Sequence, residues 1–311
     1  MNSPLVSVLI SNYNCDRYLA TAIDSAIEQT YRNIEIIVVD DGSTDNSRQT
    51  IESYQDSIIA IFKANGGQAS ALNEGFAVSK GEIICLLDAD DLWLPSKVAK
   101  VVAAFNRYPQ ATVVYHRVQN INGIDGADAP IGEPWPPYKP IVGNISKLLH
   151  RTGGWWPFPP STALSFSRQF LQKIMNIPEA EYRLCADAYL ADLAPFFGEV
   201  IGINRVLSKF RIHDSNNWSK EHNQWQRAVE HDRLRVDNVN RILDRHNIDV
   251  RISLSDRWPY QWLQYKLGQE HNLWHLSHLA WSNPWEDRLV SKVKTLSKLW
   301  LESFGVGSSR L

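Results

Sequence analysis

I-E-I-I-V-V-D-D-G-S-T-D, residues 34–45, decides the fold. Ile34–Asp40 is apolar at nearly every position, as suits a strand buried on both faces of a parallel sheet. Gly42 and Ser43 turn the chain, and the spacing predicts a polar helix around Asp45–Tyr54. Before this unit, Val6–Ser11 reads as a strand, and Leu19, Ala22, Ile23, Ala26 and Ile27 recur at helical spacing behind Asp16 as N-cap. After it come strands at Ile58–Ala64 and Ile83–Leu87, with a helix over Gln68–Ser79 between them. A helix from Pro95 to Pro109 and a strand over Thr112–Gln119 follow. Further strands are expected at Ser161–Phe166, Glu199–Ile203 and Val206–Arg211, and helices at Arg168–Ile174 and Asp187–Phe197. Strands alternating with helices at this interval imply an α/β domain with a mostly parallel sheet and right-handed crossovers.

The chain has 311 residues, 44% of them hydrophobic and 21% charged, an ordinary globular balance that excludes disorder and low-complexity repeats. A net charge of −2 gives no electrostatic footprint for nucleic acid. Apolar runs are too short to cross a bilayer, and the start is read as lacking a signal peptide. Cys15, Cys85 and Cys185 are far apart and contain no C-x-x-C pair, so reduced, mostly buried thiols in a cytoplasmic protein are expected. Charge is uneven: residues 205–311 hold 17 basic and 12 acidic side chains, a net of +5, which leaves −7 for the remainder.

In an open parallel sheet, ligands bind outside the carboxyl ends of the strands. Polar residues follow each of the first four predicted strands: Ser11 to Asn14, then Asp40 to Ser43, then Asn65 to Gln68, then Asp88 to Asp91. Turns favour such residues, but turn chemistry alone accounts poorly for five carboxylates on one edge, because like charges repel. There is no P-loop, no G-x-G-x-x-G after the first strand and no H-E-x-x-H. What remains is an acidic D-x-D at a strand end, suited to Mg²⁺ or Mn²⁺ held by one or two carboxylates and by substrate phosphates. Tyr13 can stack on a base and Asp41 can accept a base N–H, so a nucleoside diphosphate with a divalent cation fits.

Four segments in order, V-S-V-L-I-S-N-Y-N, I-E-I-I-V-V-D-D-G-S-T-D, N-G-G-Q-A-S-A-L-N-E-G and L-L-D-A-D-D-L-W, resemble glycosyltransferase family 2, the inverting enzymes of the GT-A fold. The resemblance covers about residues 4–220. It implies a catalytic domain over 1–220, with nucleotide-sugar binding in 1–119 and the acceptor side in 120–220. By the same resemblance Ser11, Tyr13 and Asp41 contact the nucleoside, Gln68 and Asn73 line the donor pocket, and Asp88 faces the ribose or sugar. Asp90 would hold Mn²⁺ or Mg²⁺ on the diphosphate, with His213, from Phe210-Arg211-Ile212-His213, as a further ligand. The family's catalytic carboxylate maps to Asp187 as general base, although Ala186 stands where an acidic neighbour is usual; Asp192 is second in line. The implied reaction moves a sugar from a nucleotide-diphosphate sugar, a UDP-sugar foremost, to a hydroxyl of a glycan or lipid-linked acceptor in surface polysaccharide biosynthesis. A nucleotidyltransferase and a non-catalytic nucleotide-sugar-binding protein are the alternatives.

From about Asn120 to Pro160 the pattern is irregular and rich in proline, and Trp135, Trp155 and Trp156 are set there either to stack on acceptor sugars or to pack the loop. Residues 221–311 form a helical, Trp-rich extension matching no motif. Trp258, Trp262 and Tyr265 make one helical stripe. Leu289, Val293, Leu296 and Trp300 make another, interleaved with lysines. These stripes imply a packed cap, a homodimer contact or a peripheral membrane contact, which would place the protein in the cytoplasm or at the inner face of the membrane.

Overall fold

The segments that read as apolar on both faces form the centre of the structure. The computed structural model describes residues 3–123, 129–214, 223–269, 272–286 and 289–303. It opens with β1 (Val6–Asn12), α1 (Asp16–Ile27), β2 (Ile34–Asp40), α2 (Ser47–Ser53), β3 (Ile59–Phe62), α3 (Gln68–Val78) and β4 (Ile83–Asp88). These four strands are parallel, in the order β3-β2-β1-β4. Alternate residues share a sheet face. Val6, Val8 and Ile10 of β1, Ile36 and Val38 of β2, and Ile83, Cys85 and Leu87 of β4 accordingly join one buried cluster with Leu19, Ala22, Ile23 and Ala26 of α1. On the opposite face α3 comes close because Gly75 has no side chain: a Cβ there would lie 3.3 Å from Val39 and 3.4 Å from Leu9.

Next come β5 (Leu92–Trp93), α4 (Lys97–Arg107), β6 (Ala111–Asn122), β7 (Val142–Gly143), α5 (Ser146–Arg151), β8 (Leu164–Ser167), α6 (Arg168–Ile174), α7 (Ala186–Phe197) and β9 (Glu199–Ile212). The sheet continues β4-β8-β6-β9-β5, with β7 paired to β9. It is mixed but mostly parallel: β6 and β9 run parallel, while β8 is antiparallel to both of its neighbours.

Several expectations are corrected. The two strands expected at 199–203 and 206–211 are one strand, and the break at Asn204-Arg205 is a bulge: His116 pairs with Ile203 and Arg117 with Val206. β6 extends to Asn122. The strand expected from Ser161 begins at Leu164, after a 3₁₀ turn over Ser161–Ala163. β5 and β7, two residues each, are too short to show a period. Asp16 is not the N-cap of α1. Cys15 takes that position, and Asp16 sits in the first turn, where its carboxylate accepts from Asn46 while its N–H donates to Asp45.

The chain divides into two compact units, Met1–Ile145 with Phe158–Asn216, and Ser146–Pro157 with Asn217–Leu311. The second unit contains α5, α8 (Asn223–Arg245), α9 (Trp258–Lys266), α10 (Leu273–Ser282) and α11 (Leu289–Ser303). Val229, Val236, Val239, Ile242 and Leu243 make the buried face of α8. Segment 146–157 belongs here because Gly153, at φ +59°, lies against Ser253 and Arg257, and its carbonyl accepts from the Arg257 guanidinium. That guanidinium is 1% exposed and pairs with Asp232 at 2.9 Å. Trp258, Trp262 and Tyr265 stack along α9, with ring centroids 5.7 and 5.8 Å apart. They pack on Leu276, Ala280 and Leu299, with Leu296 and Trp300 beside them. The Asp232→Ala variant leaves a buried guanidinium without its counter-ion, so we expect a loss of about 3–5 kcal/mol in stability. Urea denaturation giving a midpoint equal to wild type would contradict this pairing.

Candidate functional site

The register of the parallel strands brings their polar ends level. Ser11 lies beside Asp88 and Asn12 beside Asp40. The buried Asn12 amide donates to Asp40 Oδ1 at 2.8 Å, and the same oxygen accepts from the Ser43 hydroxyl at 2.5 Å. Ser43 Oγ in turn accepts from the N–H of Asn14, a residue at φ +53° whose side chain accepts from Thr44 N–H at 2.7 Å. The loops after β1 and β2 are thereby locked together. Tyr13, 51% exposed, projects from this locked turn.

Asp41 is buried. Its Oδ1 accepts from Lys63 Nζ and Gly66 N–H, each at 2.9 Å, and its Oδ2 from Gly67 N–H at 2.6 Å. An ionised acceptor makes such bonds roughly twice as strong as neutral ones. The loop held in this way reaches across to α7. Gln68 N–H donates to Arg183 C=O, Gln68 Oε1 accepts from Ala186 N–H, both at 2.8 Å, and Arg183 bonds Asn65. Gln68 thus satisfies one of the N–H groups that a helix leaves unpaired at its start. Gly67 is required here: its φ is +90°, and a Cβ would sit 2.5 Å from Arg183 O.

Asp187 lies in the first turn of α7, where a carboxylate suits the helix dipole, and accepts from Ala188 N–H at 3.0 Å. It is near enough to Asp88 to disfavour that group's ionised form. Burial, then Asp90, then Asp187 hold the Asp88 carboxyl well above the ordinary carboxylate range, against a hydrogen bond from Ser161. Asp91 is fully buried and is raised likewise, by burial first and then by Asp90 and Asp88. Its Oδ1 accepts from Arg211 N–H at 2.8 Å, while its Oδ2 has no partner. The Cys15 thiol, pushed up to about 12 by burial and then by Asp90 and three further aspartates, faces the same negative field. Asp90 contacts His213, Nε2 to Oδ2 3.0 Å, and the His213 ring lies 5.0 Å from that of Tyr18.

The structure therefore gathers Ser11, Asp88, Asp90, Asp187 and His213 at the carboxyl end of the sheet, with Tyr13 and Gln68 at its border. Two candidates are engaged by the chain itself. Asp41 spends its oxygens on the loop over residues 63–67. The Asn73 amide donates to Ile177 C=O and accepts from Ile177 N–H, both at 2.9 Å, so it braces the chain ahead of α7. Asp192 is buried within α7. Trp156 is also buried and offers no ring face, whereas Trp135 is 39% exposed. Gly66, Gly67 and Arg183, which carry the bridge to α7, were missed as functional residues. The N-G-G-Q stretch was the available signal, since paired glycines mark backbone that must bend or approach closely.

Among the described residues no three His, Cys, Asp or Glu side chains form a ready-made metal site. Asp90 and His213 supply two donors, and a hard cation held by one or two protein groups takes its other ligands from water and phosphate oxygens. The burial of Asp88 beside Asp90 and Asp187, and the Asp91 Oδ2 left without a partner, fit a site that gains from positive charge.

Comparison with known proteins gives the family and the fold. Glycosyl transferase family 2 matches residues 7–175, over half of the chain. An uncharacterized glycosyltransferase of Nostoc sp. is 34% identical over 288 residues, covering 88% of this chain and 87% of that one. Glycosyltransferase GlyG of Streptococcus pneumoniae is 44% identical over 192 residues, covering 60% and 54%. Among solved structures, S. aureus TarS 1–349 in complex with UDP-GlcNAc superposes with a TM-score of 0.59 at 14% identity, covering 98% of this chain and 93% of that one. Mannosyltransferase PcManGT from Pyrobaculum calidifontis, in complex with GDP-Man and Mn²⁺, gives 0.53 at 17% identity, covering 98% and 76%. At these identities the likeness is one of fold, GT-A. The Gly67→Ala variant forces strained backbone and a clash with Arg183. We expect a loss of at least about 1–2 kcal/mol, read as a lower thermal midpoint; an unchanged midpoint argues against the bridge.

Proposed function

The chain belongs to glycosyl transferase family 2, and from that premise we propose an inverting transfer of a sugar from a nucleotide-diphosphate donor to a hydroxyl of a glycan or lipid-linked acceptor. The observation that carries this reading is the meeting of Asp88, Asp90 and Asp187, from β4, the turn after it and α7, at one rim where Asp90 and Asp187 both disfavour the charged form of Asp88. That TarS and PcManGT are complexed with UDP-GlcNAc and with GDP-Man and Mn²⁺ supports a nucleotide-sugar donor and a divalent cation here as well. A UDP-sugar donor and a role in surface polysaccharide biosynthesis are the more specific form of the proposal.

Each residue has a stated part. Tyr13, exposed on its locked turn, offers a ring to the base, and Ser11 a hydroxyl beside it. Asp41 shapes the nucleoside side of the pocket through the loop it holds. Asp88 keeps its proton to higher pH than an ordinary carboxyl and so can donate to a donor-sugar or ribose oxygen. Asp90 with His213 would hold Mn²⁺ or Mg²⁺, which when bound offsets charge on the departing diphosphate. Asp187, fixed by the start of α7, accepts the proton of the acceptor hydroxyl as that oxygen attacks the anomeric carbon. Ala186 is buried with its N–H bonded to Gln68, so Asp187 serves without a neighbouring acid. A nucleotidyltransferase fits less well: Ser11 to Asn14 contain no basic side chain for a triphosphate, and Lys63 is engaged with Asp41.

Incubation with UDP-, GDP- and dTDP-sugars and Mn²⁺ tests the reading. Release of nucleoside diphosphate with inversion at the anomeric carbon supports it, whereas pyrophosphate release, or binding without turnover of any donor and acceptor, overturns it. Asp187→Asn is expected to lower turnover by about 10²–10⁴-fold with donor affinity kept; near-normal turnover would remove Asp187 as the base. Asp90→Ala is expected to abolish the Mn²⁺-dependent part of UDP binding in calorimetry, and affinity equal to wild type with metal would count against its role.

A further inference from the structure

Helix α11 presents an unusual outer face. Among its described side chains, residues 289–301, the exposed positions are 289, 290, 293, 294, 297, 298 and 301. At 3.6 residues per turn they occupy about half of the helix circumference. On a water-facing helix these positions are normally polar. Here they are Leu289, Val290, Val293, Lys294, Ser297, Lys298 and Leu301, with Leu289 and Val290 63% and 67% exposed. The core of the unit does not need these side chains, because Leu299, Leu296 and Trp300 already supply the packed face of α11. The apolar surface continues onto α10. Trp274, 76% exposed, meets Trp300 edge-on with ring centroids 5.3 Å apart, and Trp281, two turns along the same face, is 50% exposed.

Basic side chains border this apolar surface among the described residues of α11. Lys294 and Lys298 border it on α11, and Lys292 bonds the Trp281 carbonyl from the other side. Aliphatic side chains, two exposed indoles and a lysine border are the makings of a helix that lies in a membrane interface, where indole favours the headgroup level and lysine meets anionic lipid. No helix among the described residues is long and apolar enough to cross a membrane, so such contact would be peripheral.

We propose that the outer face of α11, extended by Trp274 and Trp281, docks on an anionic phospholipid surface. This rests on the second unit alone and stands whether or not the proposed transfer reaction is correct. A protein partner is less well matched, because an interface core is depleted of lysine.

The test uses the full chain and vesicles of phosphatidylcholine with or without phosphatidylglycerol, separated by sedimentation. We expect the wild type to sediment with phosphatidylglycerol vesicles and hardly with phosphatidylcholine alone. Binding should weaken with added salt and fall about fivefold for each lysine removed in Lys294→Ala and Lys298→Ala. The double variant V290D/V293D should not bind, with its far-UV circular dichroism and sugar-nucleotide turnover unchanged. Should that variant misfold, the two lysine variants, altered only at exposed positions, carry the test. Equal sedimentation with both vesicle types, or no binding, overturns the proposal. So does light scattering that finds a wild-type dimer which V290D/V293D splits.

Discussion

The bond between the Asp41 carboxylate and the N–H groups of Gly66 and Gly67 is the constraint on which the rim depends. A β-strand can set the position of its own last residue but not that of a helix far along the chain. Asp41 directly follows the last residue of β2, the loop it grips opens α3, and the next residue, Gln68, bonds the first N–H of α7 across 118 positions of sequence. The tie works only if the loop backbone lies flat against both neighbours. Gly67 permits this, since it sits in left-handed backbone with the Arg183 main chain where a side chain would be. Asp187 is thus placed by a relay in which the Asp41 carboxylate and the Gln68 side-chain oxygen accept from main-chain N–H groups and one main-chain bond joins Gln68 N–H to Arg183 C=O.

The carboxylates gathered at this rim oppose folding. Asp88 and Asp91 are buried beside Asp90, and the folded chain holds their protons more tightly than the unfolded chain does. For carboxyls shifted in this direction, stability is greatest in acid and declines as pH rises from the ordinary carboxylate value through the raised one. Near neutrality the fold therefore carries a strain that a bound cation or a partner's donors would relieve. Protein sites that concentrate like charge in this manner are commonly functional, because their physical cost has no structural return. The hydrophobic sheet around β1 supplies the surplus stability that tolerates it.

Much of this was legible in the residues alone. Ile34–Asp40 and Ile83–Leu87 could hardly be other than buried parallel strands, and strand order then fixes which edge collects the aspartates. That Ser11, Asp88 and Asp90 lie at one edge follows from their places at strand ends. The family resemblance puts Asn73 in the donor pocket, but it could not show that Ile177, distant in sequence, comes to meet its amide. The β9 bulge misled because Asn204-Arg205 looks like a turn until a partner strand shows that pairing resumes. The exposed face of α11 was only half legible: the apolar stripe was plain, but its division into a packed half and an outward half depends on α9 and α10.

The most direct test of the assembled rim is the anomalous scattering of Mn²⁺ in crystals grown with a nucleoside diphosphate. The account expects one metal peak at bonding distance from Asp90, shared with the diphosphate oxygens, with the base near Tyr13 and Asp187 across the pocket. Manganese bound elsewhere, or a nucleotide seated away from the ends of β1 and β4, would contradict it.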